Sequence, residues 1–264
     1  MGVLFAATVV IVLLTINIQG LITTLPRLSP GGYGDWSHLG TVDLADPYAS
    51  PFYRWAPPAI WAWRYLIEPL GFVVWAGLHV AAILLVRPWW LAGLALVSFP
   101  FWADLANGNA LTFVAVSAHL AMRGSTGGTV AFIALSALMP RPIVVPGLLW
   151  LLWHRPWTRV AAVAAGVAAL VLSLAVGELG TWVERLLMTS GVEAGGRYDI
   201  GPSALLGTWW LLIGIPLGAI LLWRGRTGLA GLAIAPYWLS YYLLMPLADW
   251  PGPRELRDRG DDGD

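Results

Sequence analysis

Few side chains in this 264-residue sequence could do chemistry, and each can be named. Asp35 stands in Gly34-Asp35-Trp36, followed by Asp46-Pro47-Tyr48 and then by Phe52-Tyr53-Arg54-Trp55 ahead of Pro57-Pro58. A carboxylate held over a bilayer surface can take a proton as a general base; the competing reading is a solvated loop acid beside an aromatic interface belt. Arg141 lies in Pro140-Arg141-Pro142 between two apolar stretches, where an arginine near hydrocarbon costs roughly 3 kcal/mol unless it is paired or hydrated. It either snorkels to the interface or meets an anion, for which the guanidinium fork suits a phosphate. Asn107-Gly108-Asn109 fits a tight turn with a capping role. His79 and His119 fall inside apolar stretches and read as satisfied packing residues, His154 beside Arg155 reads as interfacial, and no His-Asp-Glu spacing supports a metal site. With no cysteine, disulfides, thiolate metal sites and cysteine nucleophiles are excluded.

The elements that must position these groups are apolar. Hydrophobic residues make up 58% of the chain and charged residues 11%, with a mean hydropathy of +0.70, more apolar surface than a soluble domain can hide. The formal charge is zero, so no global field argues for nucleic acid. All fifteen basic residues are arginine, a composition bias without functional meaning. A window of about 20 residues, the length that crosses the hydrocarbon, finds apolar segments at Val3–Thr24, Ala59–Leu66, Leu70–Val86, Trp89–Ala103, Ala110–Met122, Thr129–Met139, Ile143–His154, Val160–Val176, Ala204–Trp223 and Gly228–Leu247. The first lacks a basic start and a small-residue cleavage site and reads as a retained span, a cleaved signal peptide being the alternative. Leu25–Pro57 is a polar loop. Trp89, Trp90, Trp209 and Trp210 suit interfacial anchoring better than carbohydrate stacking.

The expected fold is all-α and polytopic, with one transmembrane domain over residues 1–250 and an acidic, disordered tail over 251–264 that holds Asp258, Asp261, Asp262 and Asp264. With a cytoplasmic N-terminus, and with residues 129–154 as a broken, re-entrant helix pair around Pro140-Arg141-Pro142, the arginines 87, 123, 155, 159, 224 and 226 all fall on the cytoplasmic side. A continuous crossing over 129–154 would put Arg155, Arg159, Arg224 and Arg226 outside. The broken pair is preferred, and since irregular backbone at membrane depth must line protein or a watery cavity, Arg141 is expected at one. The same arrangement collects the Asp35 loop, the Asp104–Asn109 turn and the Glu178–Gly201 loop on the outer side.

Taken in order, the landmarks resemble the GT-C glycosyltransferases, in particular the polyprenyl-phosphate-sugar-dependent, phosphatidylinositol-mannoside mannosyltransferase-like branch. Those landmarks are Asp35-Trp36, Pro47-Tyr48, Trp55 with Pro57-Pro58, Gly108-Asn109-Ala110 where the family usually has Gly-Gln, Arg141-Pro142 where lysine is frequent, and His154-Arg155-Pro156-Trp157. The likeness covers about residues 1–160, and the chain is short for that family. It implies an inverting transfer of a hexose, mannose by default, from a polyprenyl-phosphate sugar to a lipid or glycan acceptor at the extracytoplasmic face of the cell membrane. Asp35 would be the base, Arg141 with Arg54 or Arg197 would hold the donor phosphate, and Trp36, Tyr48, Tyr53, Asn107 and Asn109 would line the substrate pocket. A lipid phosphate leaves as a stabilised anion, so one carboxylate can suffice where glycosidases use two. No cofactor or metal is implied, and no nucleotide-binding glycine loop occurs. A transporter or flippase of a lipid-linked solute would also use a broken helix and a cavity arginine, and a non-catalytic subunit paired with a second membrane protein fits the short length.

Overall fold

Apolar runs this long must satisfy their backbone internally, and helices do so. The computed structural model describes residues 2–28, 36, 44, 48, 55–189 and 199–250. The described residues are about 80% helical and contain no strand. The helices are α1 (Gly2–Thr24), α2 (Pro57–Ile83), α3 (Trp89–Leu96), α4 (Phe99–Ala106), α5 (Leu111–Met122), α6 (Thr126–Leu138), α7 (Pro142–His154), α8 (Trp157–Ala175), α9 (Leu179–Thr189), α10 (Ser203–Trp223) and α11 (Thr227–Ile234), followed by a 3-10 helix over Ser240–Asp249. By length and hydropathy α2, α8 and α10 can each cross a membrane, and the α3–α4 pair makes a fourth if counted as one span. In α8 and α10 only 17% of the most apolar window is buried, so most of that apolar surface faces outward, as lipid-facing surface does. A multi-pass α-helical membrane protein fits these features.

Prolines decide where the helices begin and bend. Pro57 and Pro58 open α2, at positions whose N–H groups have no intrahelical partner anyway. The two segments expected over 59–86 are one helix of 27 residues. Pro69 withdraws a backbone donor; a π turn over Trp63–Ile67 and a 3-10 turn over Glu68–Leu70 carry the chain to Gly71, whose φ of +81° interrupts the regular ladder where the two expected segments join. The single segment expected over Trp89–Ala103 is two helices bent by 61°. Ser98 is extended and Pro100 sits in the first turn of α4. Asn17 of α1 repairs the break: its Nδ2 donates to Val97 O (3.1 Å) and its Oδ1 accepts from Phe99 N (2.6 Å).

Two segments enter the domain and return. Arg155, just after α7, donates from Nη1 to Thr129 Oγ1 in the first turn of α6 at 2.9 Å. A straight helix would hold those residues about 39 Å apart, so residues 126–154 form a hairpin around the Met139–Arg141 break. The expected segment Gly228–Leu247 is not one helix either. α11 stops where Ala235 turns extended ahead of Pro236; the chain returns through the 3-10 helix, and the Asp249 carboxylate accepts from Gly228 N and Leu229 N, both at 2.8 Å. The hairpins interlock closely: a Cβ on Gly231 would stand 2.2 Å from Ile143 O, so only glycine permits this approach.

The hairpins give the domain two distinct ends. At one, Arg87 N donates to His119 Nε2 (3.2 Å), His119 Nδ1 faces Leu247 O (2.8 Å), and Arg226 Nη1 donates to Asp249 O (3.0 Å). Arg123 and Arg224 adjoin these contacts in the chain, and Arg155, tied to Thr129, brings Arg159 to the same side, so this is the arginine end. The other end is organised by the turn between α4 and α5.

Candidate functional site

The turn Asn107-Gly108-Asn109 is assembled by a buried carboxylate. Asp104, in the last turn of α4, is fully buried and accepts from Thr112 N (2.6 Å), Thr112 Oγ1 (2.7 Å) and Leu111 N (3.3 Å), filling the free donors that open α5. His79 of α2 closes the assembly. Its Nε2 lies 3.0 Å from Asn109 O and 3.6 Å from Asp104 Oδ2, and its Nδ1 lies 3.0 Å from Trp75 O. Gly108 adopts φ +68°, where a side chain is strained, and a Cβ there would fall 2.5 Å from the Trp36 Cβ.

Two expected site elements meet at this turn. Trp36 N donates to Asn107 O at 3.1 Å, and Arg141 Nη2 donates to Asn109 Oδ1 at 3.1 Å, while that same oxygen accepts from Ala110 N. The Arg141 guanidinium lies 5.7 Å and 5.8 Å from the ring centres of Tyr241 and Tyr242, within cation–π range. Arg141 itself is partly exposed and in extended backbone as the cap of α7, because it stands between two prolines. A cation held by an amide oxygen and faced by two phenols, at the head of a membrane domain, suits the phosphate of a lipid headgroup.

Two of the aromatic residues named for the pocket, Trp36 and Tyr48, are packed. Trp36 is 6% exposed and lies edge-on to Trp63 and Phe72 beside Trp75. Tyr48 is fully buried and donates its hydroxyl to Trp55 O at 2.8 Å. Burial, and secondly the nearby Glu178 carboxylate, hold that phenol well above its ordinary range, so it stays protonated and acts as a tie. Asn107 donates from Nδ2 to Ala103 O, a helix-ending contact. Asp199 joins the same end of the domain, accepting from Trp238 N and Gly201 N, both at 2.9 Å. Asp35, Tyr53, Arg54, Arg197 and the 251–264 tail lie outside the described residues.

The reading from sequence did not find Asp104, Thr112 and His79 as one unit, nor Tyr241 and Tyr242 beside Arg141. Asp104 and Thr112 are eight residues apart across a turn, a spacing that capping could have suggested; the histidine and the tyrosines arrive only through the tertiary fold. Among the described residues no group of three or more His, Asp or Glu could hold a metal ion. No protein-family model matches the chain, and no curated protein and no solved structure matches it either.

Proposed function

We propose that this chain is a membrane glycosyltransferase of the GT-C type, moving a hexose from a polyprenyl-phosphate sugar to a lipid or glycan hydroxyl at the extracytoplasmic face. The observation that supports it most is the convergence on one three-residue turn. Trp36, the residue after Asp35, is tied to Asn107 O, and Arg141 is tied to Asn109 Oδ1. In this reading the acceptor hydroxyl attacks the anomeric carbon as the bond from that carbon to the phosphate oxygen breaks. The hydroxyl proton passes to the Asp35 carboxylate, and the polyprenyl phosphate leaves as an anion stabilised by Arg141, with Arg54 or Arg197 as a second cation. Stabilising charge where it develops is commonly the largest catalytic contribution, and it needs few polar groups. The arginine end faces the cytoplasm, which puts the Asn109 turn outside, where a lipid-linked donor is consumed.

Purified protein in proteoliposomes, given a polyprenyl-phosphate hexose and a lipid acceptor, tests the reading. Transfer should fall by about a hundredfold or more in Asp35→Asn and Arg141→Ala. Undiminished transfer in Asp35→Asn removes the base. Donor that changes leaflet without being consumed makes the chain a transporter instead.

A further inference from the structure

The two fully buried histidines of the domain sit among opposite kinds of neighbour. His119 Nε2 accepts from Arg87 N at 3.2 Å while its Nδ1 faces Leu247 O at 2.8 Å. One nitrogen carries a proton and the other a lone pair, the pattern of a neutral imidazole. At His79 both ring nitrogens face acceptors: Nδ1 lies 3.0 Å from Trp75 O, and Nε2 lies 3.0 Å from Asn109 O. A neutral imidazole has one N–H to give. In a neutral ring, one of these contacts would set the lone pair of a nitrogen against those of a carbonyl oxygen, in the buried setting where an unmade hydrogen bond costs most.

Two further observations point the same way. Asp104 Oδ2 stands 3.6 Å from His79 Nε2, and Asp104 accepts from Leu111 N, Thr112 N and Thr112 Oγ1, the behaviour of an ionised carboxylate. A buried carboxylate left without a positive partner is strongly destabilising. The rings of Trp75 and Phe113 lie 4.5 Å and 4.6 Å from the imidazole, centre to centre, within the range at which aromatic rings attract a cation. Among the described residues, Asp104 is the charged group that faces His79. The remaining neighbours are the Trp75, Phe101 and Phe113 rings, and Arg141 reaches the turn at the other oxygen of Asn109.

We propose that His79 is a proton-binding site: it is held as an imidazolium, paired with the Asp104 carboxylate, and its second proton latches the Asn107–Asn109 turn onto α2. Burial alone works against a charged ring; here two carbonyl oxygens, a carboxylate and two aromatic rings act in the other direction. When base removes the second proton, one carbonyl oxygen loses its donor and Asp104 loses its counter-charge. Raising the pH therefore loosens the turn, and Arg141, which rests on Asn109 Oδ1, loses a fixed support. The proposal is independent of the glycosyl-transfer reading.

His79 is the one histidine followed by valine, and Asn109 the one asparagine followed by alanine, so selective isotope labelling assigns both in the unaltered chain. In lipid nanodiscs at about pH 7.5, where an ordinary imidazole is mostly neutral, nitrogen NMR spectra should show both His79 nitrogens protonated, and His119 with one protonated and one bare. Raising the pH further should bring in a bare His79 nitrogen and, over the same interval, shift the Asn109 carbonyl signal. In Asp104→Asn the bare nitrogen should be present already at about pH 7.5. A bare His79 nitrogen in the unaltered chain at that pH overturns the imidazolium, whether or not the Asp104 variant folds. Asp104→Asn with both His79 nitrogens still protonated overturns the pairing, and an Asn109 carbonyl that does not move with the His79 step overturns the latch.

Discussion

Arg141 has its amide neighbour and its two phenol neighbours on different elements, so its direction is set by tertiary contacts and not by its own helix cap. Lysine at this position keeps the charge but loses the planar fork that can hold Asn109 Oδ1 and an anion together. Arg141→Lys should therefore lower transfer about tenfold or more with little loss of fold, a separation seen by measuring turnover beside the thermal midpoint of the same preparation. Gly108 makes the opposite case, where the backbone alone is at stake. Alanine there must take a left-handed conformation and press a Cβ onto Trp36, which should cost about 2 kcal/mol or more. The check is a lowered thermal midpoint together with a shift in tryptophan emission as Trp36 is displaced. A Gly108→Ala protein with wild-type stability would mean that Trp36 does not bear on the turn.

At the scale of elements, helix breaks in this molecule are stabilised by side chains from other helices. Asn17 supplies the acceptor and the donor that the 61° bend between α3 and α4 leaves open. Asn17→Leu keeps the volume but strands Val97 O and Phe99 N, and should destabilise the domain by about 2–4 kcal/mol, read as a fall in detergent-denaturation midpoint. Ser125→Ala, which removes the cap that Gly128 N donates to, should cost only about 1 kcal/mol; a larger loss from the serine than from the asparagine would contradict this account. The same comparison explains what was legible beforehand. The break at Pro140-Arg141-Pro142 could be read directly, since two prolines around one residue exclude a continuous helix. The bend at Ser98 could not, because it depends on Asn17 from another helix, and neither could the joining of two segments past Pro69, which rests on a π turn and on Gly71 at φ +81°. The site divides the same way. Arg141 and Asn109 were visible as polar residues at a break and a turn, and the Asp104–Thr112 cap left a spacing that could be read, whereas His79 reaches Asn109 O and Asp104 from a separate helix and leaves none.

At the scale of the whole molecule, sidedness follows from the two hairpins. A chain with residues 126–154 as a single crossing would carry Arg123 and Arg159 on opposite faces of the membrane. The Arg155–Thr129 hydrogen bond and the Asp249 cap on α11 instead return both segments to the end where Arg87 and Arg226 lie. That end has an excess of exposed arginine, which is the ground, through the positive-inside preference, for the proposal that it faces the cytoplasm. Single cysteines at Arg123, Arg159 and Arg224 should accordingly be labelled together by an impermeant maleimide only when the cytoplasmic face is open to the reagent, and a reporter fused after Asp264 should sit on that same face. Leu205, 90% exposed at the start of α10, marks the opposite end and should label from outside. Labelling of the Arg123 and Arg159 positions from different sides would unfold the first hairpin into a crossing. Arg141 would then lose its place at the head of the domain, and the phosphate-binding role proposed for it would fall.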